Sequence, residues 1–390
     1  MQRRQFLKHS AALLAAIPVS SALSSENTAA TLGTGSAQFS PIIASADRII
    51  EMNVCTRPFR AQGPRIETER MRRKTVVHNY GHGGSGWSLS WGSGLLAVEM
   101  AKTTGQQQIA IVGCGAIGLT TALVAQQAGL KVSIYAKERF PFVRSYFATG
   151  AWTPASRICS SEHASDFAER WESMARYSHR RFQSLLGVAG DPVEWRDMYN
   201  LSNASITSNE MRGGRGEPRY PDFEKELIKD ITPQAVELSN QPHPFPVRYV
   251  TRAPSLIFNI AAYSRLLMDE FLAAGGIIEN FELKDRSDFS ALDERTIINC
   301  TGYGARELLA DDTIVPVRGQ TAKLIPQPEV HYGFHYAERG ISVYPRRDGL
   351  LVQAGAGGDF DNARENLNPE ESIRAVERVA AVVEGMRSKV

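Results

Sequence analysis

The sequence predicts an α/β fold in which helices cover a parallel sheet. The main evidence is a β-α-β pattern over 108–138: a short apolar run, three glycines, helix formers that stop at Gly129, and a second apolar run. An amphipathic helix is predicted over 256–274, and apolar strands follow at 277–278 and 296–299. Strands that alternate with helices in this way favour a parallel sheet.

The three glycines have the spacing Gly-x-Gly-x-x-Gly of a dinucleotide-binding turn. The first permits a tight turn, the second lets a pyrophosphate approach the backbone, and the third lets the helix pack on the strand. The helix N-terminus then faces the phosphates, and an acid after the second strand binds a ribose hydroxyl. The residues predicted for these roles are Gly113, Gly115, Ala116, Ile117, Gly118 and Glu138. By itself this pattern does not separate FAD from NAD.

The segment 76–92 contains five glycines, two histidines and two tryptophans. Positions without a Cβ let a backbone approach a flat, bulky ligand closely and let its N–H groups converge on an acceptor. Two glycine-rich segments so close together imply one large cofactor, which a flavin would satisfy. The residues expected to contact it are Gly83, Gly84, Ser85 and Gly86. We expect His78 and His82 to form structural hydrogen bonds.

Residues 76–92 closely resemble the signature of the D-amino acid oxidase family, hydrophobic-hydrophobic-His-Asn-Tyr-Gly-x-Gly-Gly-x-Gly followed by five residues and Gly. Gly94 stands where the family usually has Ala. Other stretches are similar to the family too, namely Asn299-Cys300-Thr301-Gly302, Pro316-Val317-Arg318-Gly319-Gln320 and Tyr344-Pro345-Arg346. The resemblance implies a Rossmann-type FAD-binding domain and a second, α+β substrate domain.

The resemblance also implies an activity. The family oxidises an α-amino acid by passing the Cα hydrogen to FAD, the imine hydrolyses to a 2-oxo acid and ammonia, and dioxygen usually reoxidises the flavin to give hydrogen peroxide. Arg57 matches the arginine that binds the substrate carboxylate, a role that suits a planar guanidinium. Ser342 replaces a carboxylate-binding tyrosine of the family, and we expect Tyr344 or Tyr336 to substitute for it.

Further contacts with FAD are expected on two short turns. Thr301 and Gly302 match the family's turn beneath the adenine end. Thr149 and Gly150 belong to the segment 148–152, which we expect to cover the reactive edge of the flavin.

The order of these parts is rotated relative to the family, in which the segment like 76–92 lies near the C-terminus. We interpret the chain as circularly permuted, which proteins tolerate where termini lie close together on the surface. Residues near Ser45 and Val390 should then be close. A fusion of gene fragments is the alternative. The predicted FAD-binding domain comprises 62–155 and 253–312, and the predicted substrate domain comprises 46–61, 156–252 and 313–390.

The first 25 residues are typical of an export signal. Basic residues including Arg3 and Arg4 precede an apolar run at 11–19 that is far shorter than the ~20 residues a spanning helix needs. The start resembles a twin-arginine signal, which serves proteins exported folded. It implies the twin-arginine export machinery as a partner and the bacterial periplasm as the location. Residues 26–45 are predicted to be a flexible linker.

Composition and charge narrow the kinds of partner and of binding site that the chain can have. The chain of 390 residues has 44 Lys+Arg and 42 Asp+Glu, a net charge of +2, which provides no electrostatic case for a nucleic-acid partner. Its four cysteines are widely spaced and no histidine stands at metal-ligand spacing, so we expect neither a disulfide framework nor a metal site. Cys114 and Cys300 are expected to be buried.

Two other functions stay open. An NAD(P)-dependent dehydrogenase would use only the turn at 113–118 and would leave 76–92 unexplained. A non-catalytic flavin-binding descendant of an oxidase is compatible with Ser342 and with the rotated order.

Overall fold

Two β-sheets and the helices that cover them make up the architecture. The computed structural model describes residues 39–204, 216–355 and 357–387. In chain order the strands are β1 (Ile49–Phe59), β2 (Arg65–Met71), β3 (Lys74–Tyr80), β4 (Gln108–Val112), β5 (Lys131–Ala136), β6 (Val193–Ser202), β7 (Val236–Glu237), β8 (Tyr249–Phe258), β9 (Ile277–Asn280), β10 (Thr296–Asn299), β11 (Val315–Leu324), β12 (Tyr332–Tyr336), β13 (Ile341–Arg346) and β14 (Gly349–Ala354). The helices are α1 (Gly86–Lys102), α2 (Ala116–Gln127), α3 (Ala164–Gln183), α4 (Phe223–Leu227), α5 (Ile260–Ala273), α6 (Ala305–Leu308) and α7 (Pro369–Arg387).

The six-stranded sheet has the spatial order β2-β3-β10-β4-β5-β9. Five of its strands run parallel, namely β3, β10, β4, β5 and β9, whereas β2 pairs antiparallel with β3. β4, α2 and β5 form the β-α-β unit that the glycine pattern predicted, and β10 lies between β3 and β4. The carboxyl ends of the parallel strands therefore meet at one edge. This sheet confirms the predicted α/β class with a Rossmann-type unit.

Helices α1 and α2 pack against each other beside this sheet, and they also contact α3 and α5 respectively. The Trp91 indole Nε1 donates a hydrogen bond to the Tyr263 hydroxyl at 2.7 Å and so ties α1 to α5 inside the core. Cys114 and Cys300 are buried, as predicted.

The eight-stranded sheet has the order β1-β11-β14-β13-β12-β6-β8-β7, with all neighbours antiparallel except β12 and β6. Side chains alternate between its faces. On one face, residues such as Val343, Val352 and Phe334 form an apolar core with Val379 and Val383 of α7. The other face is the one that reaches the candidate site.

Strands from the start of the described chain belong to both sheets. β1 pairs with β11, and β3 pairs with β10. Helix α7 contacts the short turn at Ala46–Arg48, and Met386 shares an apolar core with Ile42. Up to Arg387, the C-terminal helix therefore lies beside the start of the described chain, as the permutation hypothesis requires. Val390 lies outside the described residues.

The prediction of a flexible linker over 26–45 is wrong for residues 39–45. The ring of Phe39 contacts the rings of Tyr199, Phe245 and Tyr332 at 5.0–5.5 Å. Ile42 is 2% exposed. These two apolar side chains bury against strands that are distant in sequence, which local composition does not show. The predicted export signal and residues 26–38 lie outside the described residues.

The helix predicted over 256–274 starts four residues later, because 256–258 are the last residues of β8. Asn259 precedes the helix, but its side chain makes no cap. Its amide nitrogen instead donates to the Asp191 carbonyl and to Glu194 Oε1, both at 2.6 Å, and its oxygen accepts from Arg347 N at 2.8 Å. β8 also crosses the predicted domain boundary at 252/253.

The sequence left 156–250 without predicted elements, and the structure shows that α3 lies there. Phe167, Trp171 and Phe182 form its buried face, and charged residues occupy the exposed one. In the ranges that the structure covers, no helix is long and apolar enough to cross a membrane.

Candidate active site

A cavity of about 570 Å³ opens at the carboxyl edge of the six-stranded sheet and extends to the eight-stranded sheet. Both glycine-rich segments line it, which confirms the prediction that they face one cleft. The predicted site residues among its lining are Arg57, Gly83, Gly84, Gly86, Gly113, Gly115, Ala116, Ile117, Glu138, Thr149, Thr301 and Gly302. Those that do not line it are Ser85, Gly118, Gly150, Tyr336, Ser342 and Tyr344.

The turn between β4 and α2 leaves no room for side chains. A Cβ on Gly113, whose φ is +103°, would lie 2.6 Å from the Cys300 carbonyl oxygen. A Cβ on Gly118 would lie 1.9 Å from the Gly113 carbonyl oxygen. Gly118 therefore serves close packing of helix on strand, away from the cavity, whereas Gly115 lines the cavity at the N-terminus of α2. This is the division of roles that the spacing predicted.

The far end of the cavity is formed by the residues after β5. Glu138 lines it, as expected of an acid that binds a ribose hydroxyl. The neighbouring Lys137 pairs with Glu282 at 3.5 Å. Because Lys137 has its own acidic partner, Glu138 does not serve as its counter-ion.

The second glycine-rich segment forms the turn between β3 and α1. Gly83 has a φ of +53°, and a Cβ there would lie 1.8 Å from the Arg157 carbonyl oxygen. Ser85 points away from the cavity, because its hydroxyl donates to the carbonyls of Thr153 and Ser156 at 3.0 Å each. Its predicted contact with the cofactor is therefore not supported, and the hydroxyl instead anchors the segment to the loop at 153–156.

His78 and His82 form hydrogen bonds inside the protein, as predicted. His78 Nε2 lies 3.0 Å from Glu69 Oε2, and His82 Nε2 lies 2.7 Å from Ser93 Oγ. Burial lowers the pKa of His78 to about 4 and the pKa of His82 to about 3. Both imidazoles are therefore neutral at physiological pH, and their hydrogen bonds hold the glycine-rich turn in place.

The segment 148–152 enters the cavity only at its beginning. Ala148 and Thr149 line it. Gly150 instead pairs with β8, since its carbonyl accepts from Phe258 N at 2.6 Å. Trp152 is buried, with its ring 5.5 Å from that of His179. The expectation that all five residues cover the flavin is wrong, because the pairing of this segment with β8 turns its second half into the core.

Arg57 lies on β1 and projects over the cavity side of the eight-stranded sheet. Its guanidinium stands over Gly319, where a Cβ would come within 2.5 Å of Nη2, and its Nη1 donates to the Arg318 carbonyl at 2.9 Å. The next residue, Pro58, accepts a hydrogen bond from Gly83 N at 2.8 Å. The glycine-rich turn and the arginine are therefore fixed relative to each other by the backbone.

No carboxylate forms an ion pair with Arg57 in the part of the chain that the structure describes. Asp359 lies near both arginines and approaches Arg318 at 4.0 Å; burial raises the pKa of Asp359, while Arg57 and, less strongly, Arg318 act in the opposite direction. Arg144 also lines the cavity, but it pairs with Glu365 at 2.6 Å. Arg57 is thus a cation whose remaining donors are available to an anionic ligand.

Ser342 and Tyr344 lie on the same face of the sheet as Arg57 but beyond the lining of the cavity. Ser342 Oγ is 2.7 Å from His335 Nδ1. Burial raises the pKa of Tyr344, while Ser342 and Arg57, both close to it, act in the opposite direction. The expectation that Tyr344 shares a face with Ser342 is confirmed.

Tyr336 is on the wrong face to bind a substrate at this site. It pairs with Ile341 and points into the core beneath α7, and its hydroxyl accepts a hydrogen bond from Asn203 Nδ2 at 2.6 Å. Its neighbour His335 pairs with Ser342 and faces the cleft instead. Sequence reasoning missed His335. Its orientation depends on the pairing of β12 with β13, which no local pattern in the sequence shows.

The cavity, the two glycine-rich turns and the unpaired arginine define a dinucleotide-dependent enzyme site. The chain matches the profile of the DAO family, described as FAD dependent oxidoreductase, over residues 108–389. Since this match covers more than half of the chain, the protein belongs to that family of FAD-dependent oxidoreductases. The glycine spacing at 113–118 did not distinguish FAD from NAD, and the family membership identifies the cofactor as FAD. The alternative of an NAD(P)-dependent dehydrogenase is therefore wrong.

Known relatives agree with this assignment. The chain is 29% identical over 287 residues to a D-amino-acid oxidase of Dictyostelium discoideum, covering 70% of this chain and 72% of the relative. It is 28% identical over 288 residues to a D-amino-acid oxidase of Streptomyces coelicolor, covering 70% and 77%. Among solved structures, glycine oxidase from Geobacillus kaustophilus superposes with a TM-score of 0.52 at 15% identity over 73% of this chain and 80% of that one. The last comparison shows a shared fold alone.

Proposed function

We propose that this protein catalyses the FAD-dependent oxidative deamination of a D-amino acid, or a similar amine that carries a carboxylate, to the 2-oxo acid and ammonia. The observation that carries the proposal is Arg57. It lines the same cavity as both glycine-rich segments, and no carboxylate pairs with it among the described residues. The D configuration is supported by the names of the relatives at 28–29% identity.

The fixed position of Arg57 supports its proposed role in binding the substrate carboxylate. The Arg318 carbonyl and the surface of Gly319 hold the Arg57 guanidinium flat against the sheet. Because this guanidinium is planar and already oriented, the side chain loses little entropy when it binds a carboxylate through two hydrogen bonds. Arg57 would therefore orient the substrate so that its α-carbon faces the cavity, and orientation of this kind accounts for a large share of enzymatic rate enhancement.

The residues around the cavity fit FAD. Gly113 and Gly118 have no space for a Cβ, and Gly115 lines the cavity at the N-terminus of the twelve-residue α2, where phosphate groups would bind beside the hydrogen bond from Ala116 N to Ser145 Oγ at 3.0 Å. Bound FAD would supply the redox chemistry, as acceptor of the α-hydrogen with its electron pair, and we propose dioxygen as the final electron acceptor. Gly83, Gly84 and Gly86 would let the backbone lie against the ring system, and Thr301 and Gly302 would lie at the adenine end.

The test is reduction of the flavin in the full-length, FAD-loaded protein. Mixed without oxygen with D-amino acids, the protein should lose its oxidised-flavin absorbance, and the L-enantiomers should have no such effect. Admission of oxygen should restore the absorbance and release hydrogen peroxide. Retention of bound flavin without reduction by any amino acid would favour the non-catalytic alternative. Reduction by L-enantiomers alone would make the proposed stereochemistry wrong.

We also propose that the protein reaches the bacterial periplasm folded, through the twin-arginine machinery. Support comes from the sequence alone, namely Arg3 and Arg4 before a short apolar run. Replacing both with lysine should leave the protein in the cytoplasm with its flavin bound. Periplasmic recovery of that variant at the level of the parent would contradict the proposal.

Finally, we propose that the chain is a circular permutation of the family's usual order. The family match starts at residue 108, while β1 and β3, which complete the two sheets, precede it. The nearness of α7 to Ala46–Arg48 supports a simple exchange of connections. A chain rearranged to begin at residue 108, with 46–107 joined after Val390 by a short linker, should fold, bind FAD and keep the activity. Failure of that chain to bind FAD would favour the fusion of fragments.

A further inference from the structure

Five polar side chains form a row across the cleft-facing side of the eight-stranded sheet. The register places them directly opposite one another on five successive strands. In order from β1 to β12 this polar row consists of Asn53, Thr321, Gln353, Ser342 and His335. At a strand spacing of about 4.8 Å, four intervals make the row about 19 Å long.

One member of the polar row, Thr321, lines the cavity, and the other four lie outside its lining. Gln353 and His335, farther along, are half-buried and exposed respectively. Arg57 stands over Gly319, which shares the strand and face of Thr321 two residues away. Two residues along a strand span about 7 Å. A carboxylate bound to Arg57 therefore has the polar row within the reach of its own side chain.

The row has unused hydrogen-bonding groups. Within the described ranges, the Thr321 hydroxyl and the Gln353 amide have no hydrogen-bond partner, while Ser342 and His335 contact each other at 2.7 Å. The pKa of His335 is lowered from its ordinary value by desolvation, so the imidazole is uncharged at neutral pH. The row thus offers both donors and acceptors but no formal charge.

The charged residues beside the row neutralise one another. Lys323 pairs with Glu51 and approaches Asp348 at 3.8 Å, and Arg346 also pairs with Asp348. Two cations and two anions therefore form a closed cluster. They leave neither a free cation for an acidic side chain nor a free anion for a basic one.

We propose that the polar row binds the substrate side chain and selects amino acids whose side chain ends in an uncharged hydrogen-bonding group, such as an amide or a hydroxyl. This inference rests on the proposed function, because it takes Arg57 as the site of the α-carboxylate. An apolar side chain would leave Thr321 and Gln353 without partners after it had displaced water from them. Leaving buried polar groups unpaired in this way is a stronger means of discrimination than shape.

Three substrates of nearly equal shape test the inference. D-asparagine, D-leucine and D-aspartate share a Cα–Cβ–Cγ skeleton that branches at Cγ, and they differ in whether Cγ carries the oxygen and nitrogen of an amide, two methyl groups or the two oxygens of a carboxylate. In steady-state turnover by the full-length holoenzyme, with anaerobic flavin reduction following the same order, D-asparagine should exceed both others in kcat/KM by about 10-fold or more, since each neutral hydrogen bond contributes roughly 2- to 12-fold. Equal or better reduction by D-leucine or D-aspartate would overturn the inference while leaving the proposed function intact.

Variants of the polar row test whether its side chains cause the preference for D-asparagine over D-leucine. Gln353→Met keeps the length of the side chain and removes the amide, so the ratio of D-asparagine to D-leucine should fall severalfold through a rise in KM for D-asparagine. Ser342→Ala should act in the same direction and replaces Gln353→Met if that variant does not bind FAD.

Gln107→Met is the control. It makes the same change at an exposed position beside the six-stranded sheet and should leave the ratio unchanged. An unchanged ratio in both row variants would overturn the inference. Failure of a broad panel of D-amino acids to reduce the parent would overturn the proposed function together with it.

Discussion

The guanidinium of Arg57 lies against the Cα of Gly319, so close that a Cβ on Gly319 would stand 2.5 Å from Nη2. Only glycine on β11 allows the arginine of β1 to fold back over the sheet. The contact can therefore be tested by changing Gly319 and leaving Arg57 in place.

Gly319→Ala should displace the Arg57 guanidinium without unfolding the protein. The atoms in the way belong to the end of a flexible side chain, and Gly319 has no left-handed φ that would strain an alanine. Because misplacement by about 1 Å can cost about 100-fold in rate, we expect kcat/KM on D-amino acids to fall roughly 10- to 100-fold with FAD binding retained. Gly355→Ala, whose Cβ would meet its nearest atom at 3.6 Å, is the matched control. Equal loss in both variants would argue against a role for the Arg57 contact.

Arg57→Ala should keep the flavin and lose activity on amino acids. Truncating one member of a desolvated charge pair costs about 2–5 kcal/mol, which corresponds to a loss of roughly 30-fold to several thousand-fold in kcat/KM. Amines without a carboxylate should be affected much less. Arg57→Lys should recover part of the loss, because it restores the charge but not the bidentate geometry. Arg248→Ala removes an exposed arginine and should behave as the parent. Undiminished activity of Arg57→Ala would contradict the carboxylate role.

Gly115→Ala and Gly118→Ala should fail in different ways. A methyl group on Gly115 meets only Ser145 Oγ at 3.3 Å but would stand in the cavity at the start of α2, so the protein should fold and bind FAD more weakly. A methyl group on Gly118 would lie 1.9 Å from a backbone oxygen, so this variant should lose stability. Thermal unfolding of the apoproteins, combined with FAD titration, separates the two outcomes. Identical behaviour of the two variants would mean that Gly115 and Gly118 do not have separate roles.

Stability should decrease in mild acid. The pKa of His78 is about 4 and that of His82 about 3 in the folded protein, against an ordinary value of 6.5. Between these values the unfolded chain binds protons that the folded protein does not. The free energy of unfolding should therefore fall as the pH drops from about 6.5 to about 4, with about 3 kcal/mol from His78 at about 1.4 kcal/mol per unit. His78→Gln does not titrate, so denaturant unfolding across this range should show a smaller fall. An equal fall in parent and variant would contradict this assignment.

Residues 39–45 should stabilise the protein. A chain that begins at residue 39 keeps the contacts of Phe39 and Ile42, whereas a chain that begins at residue 46 loses both. Full burial of a side chain such as Ile42 is worth about 1.5–3 kcal/mol and the half-buried Phe39 adds less, so the Tm of the flavin-loaded protein should be several degrees lower for the shorter chain. Equal Tm values would mean that these contacts contribute nothing.

Local patterns in the sequence determined the fold class and the cofactor-binding turn, whereas Arg57 became a candidate only through the resemblance to a family motif. The glycine spacing at 113–118 and the apolar strands on either side are short-range features, and the backbone requires glycine there whatever the distant parts of the chain do. The dense glycines at 76–92 were informative for the same reason. Burial of Cys114 and Cys300 followed directly from the apolar strands that adjoin them.

Only the tertiary structure decided which side chains share a face and which segments pack together. Tyr336 was one of the predicted substrate-binding residues, yet pairing of β12 with β13 turns it into the core and turns His335 into the cleft. A shift of one residue in a strand exchanges the two faces, and register depends on partners far away in the sequence. The same is true of Phe39 and Ile42, which the linker-like composition around them concealed. Their burial, and the alignment of the polar row across five strands, result from long-range pairing that no local pattern encodes.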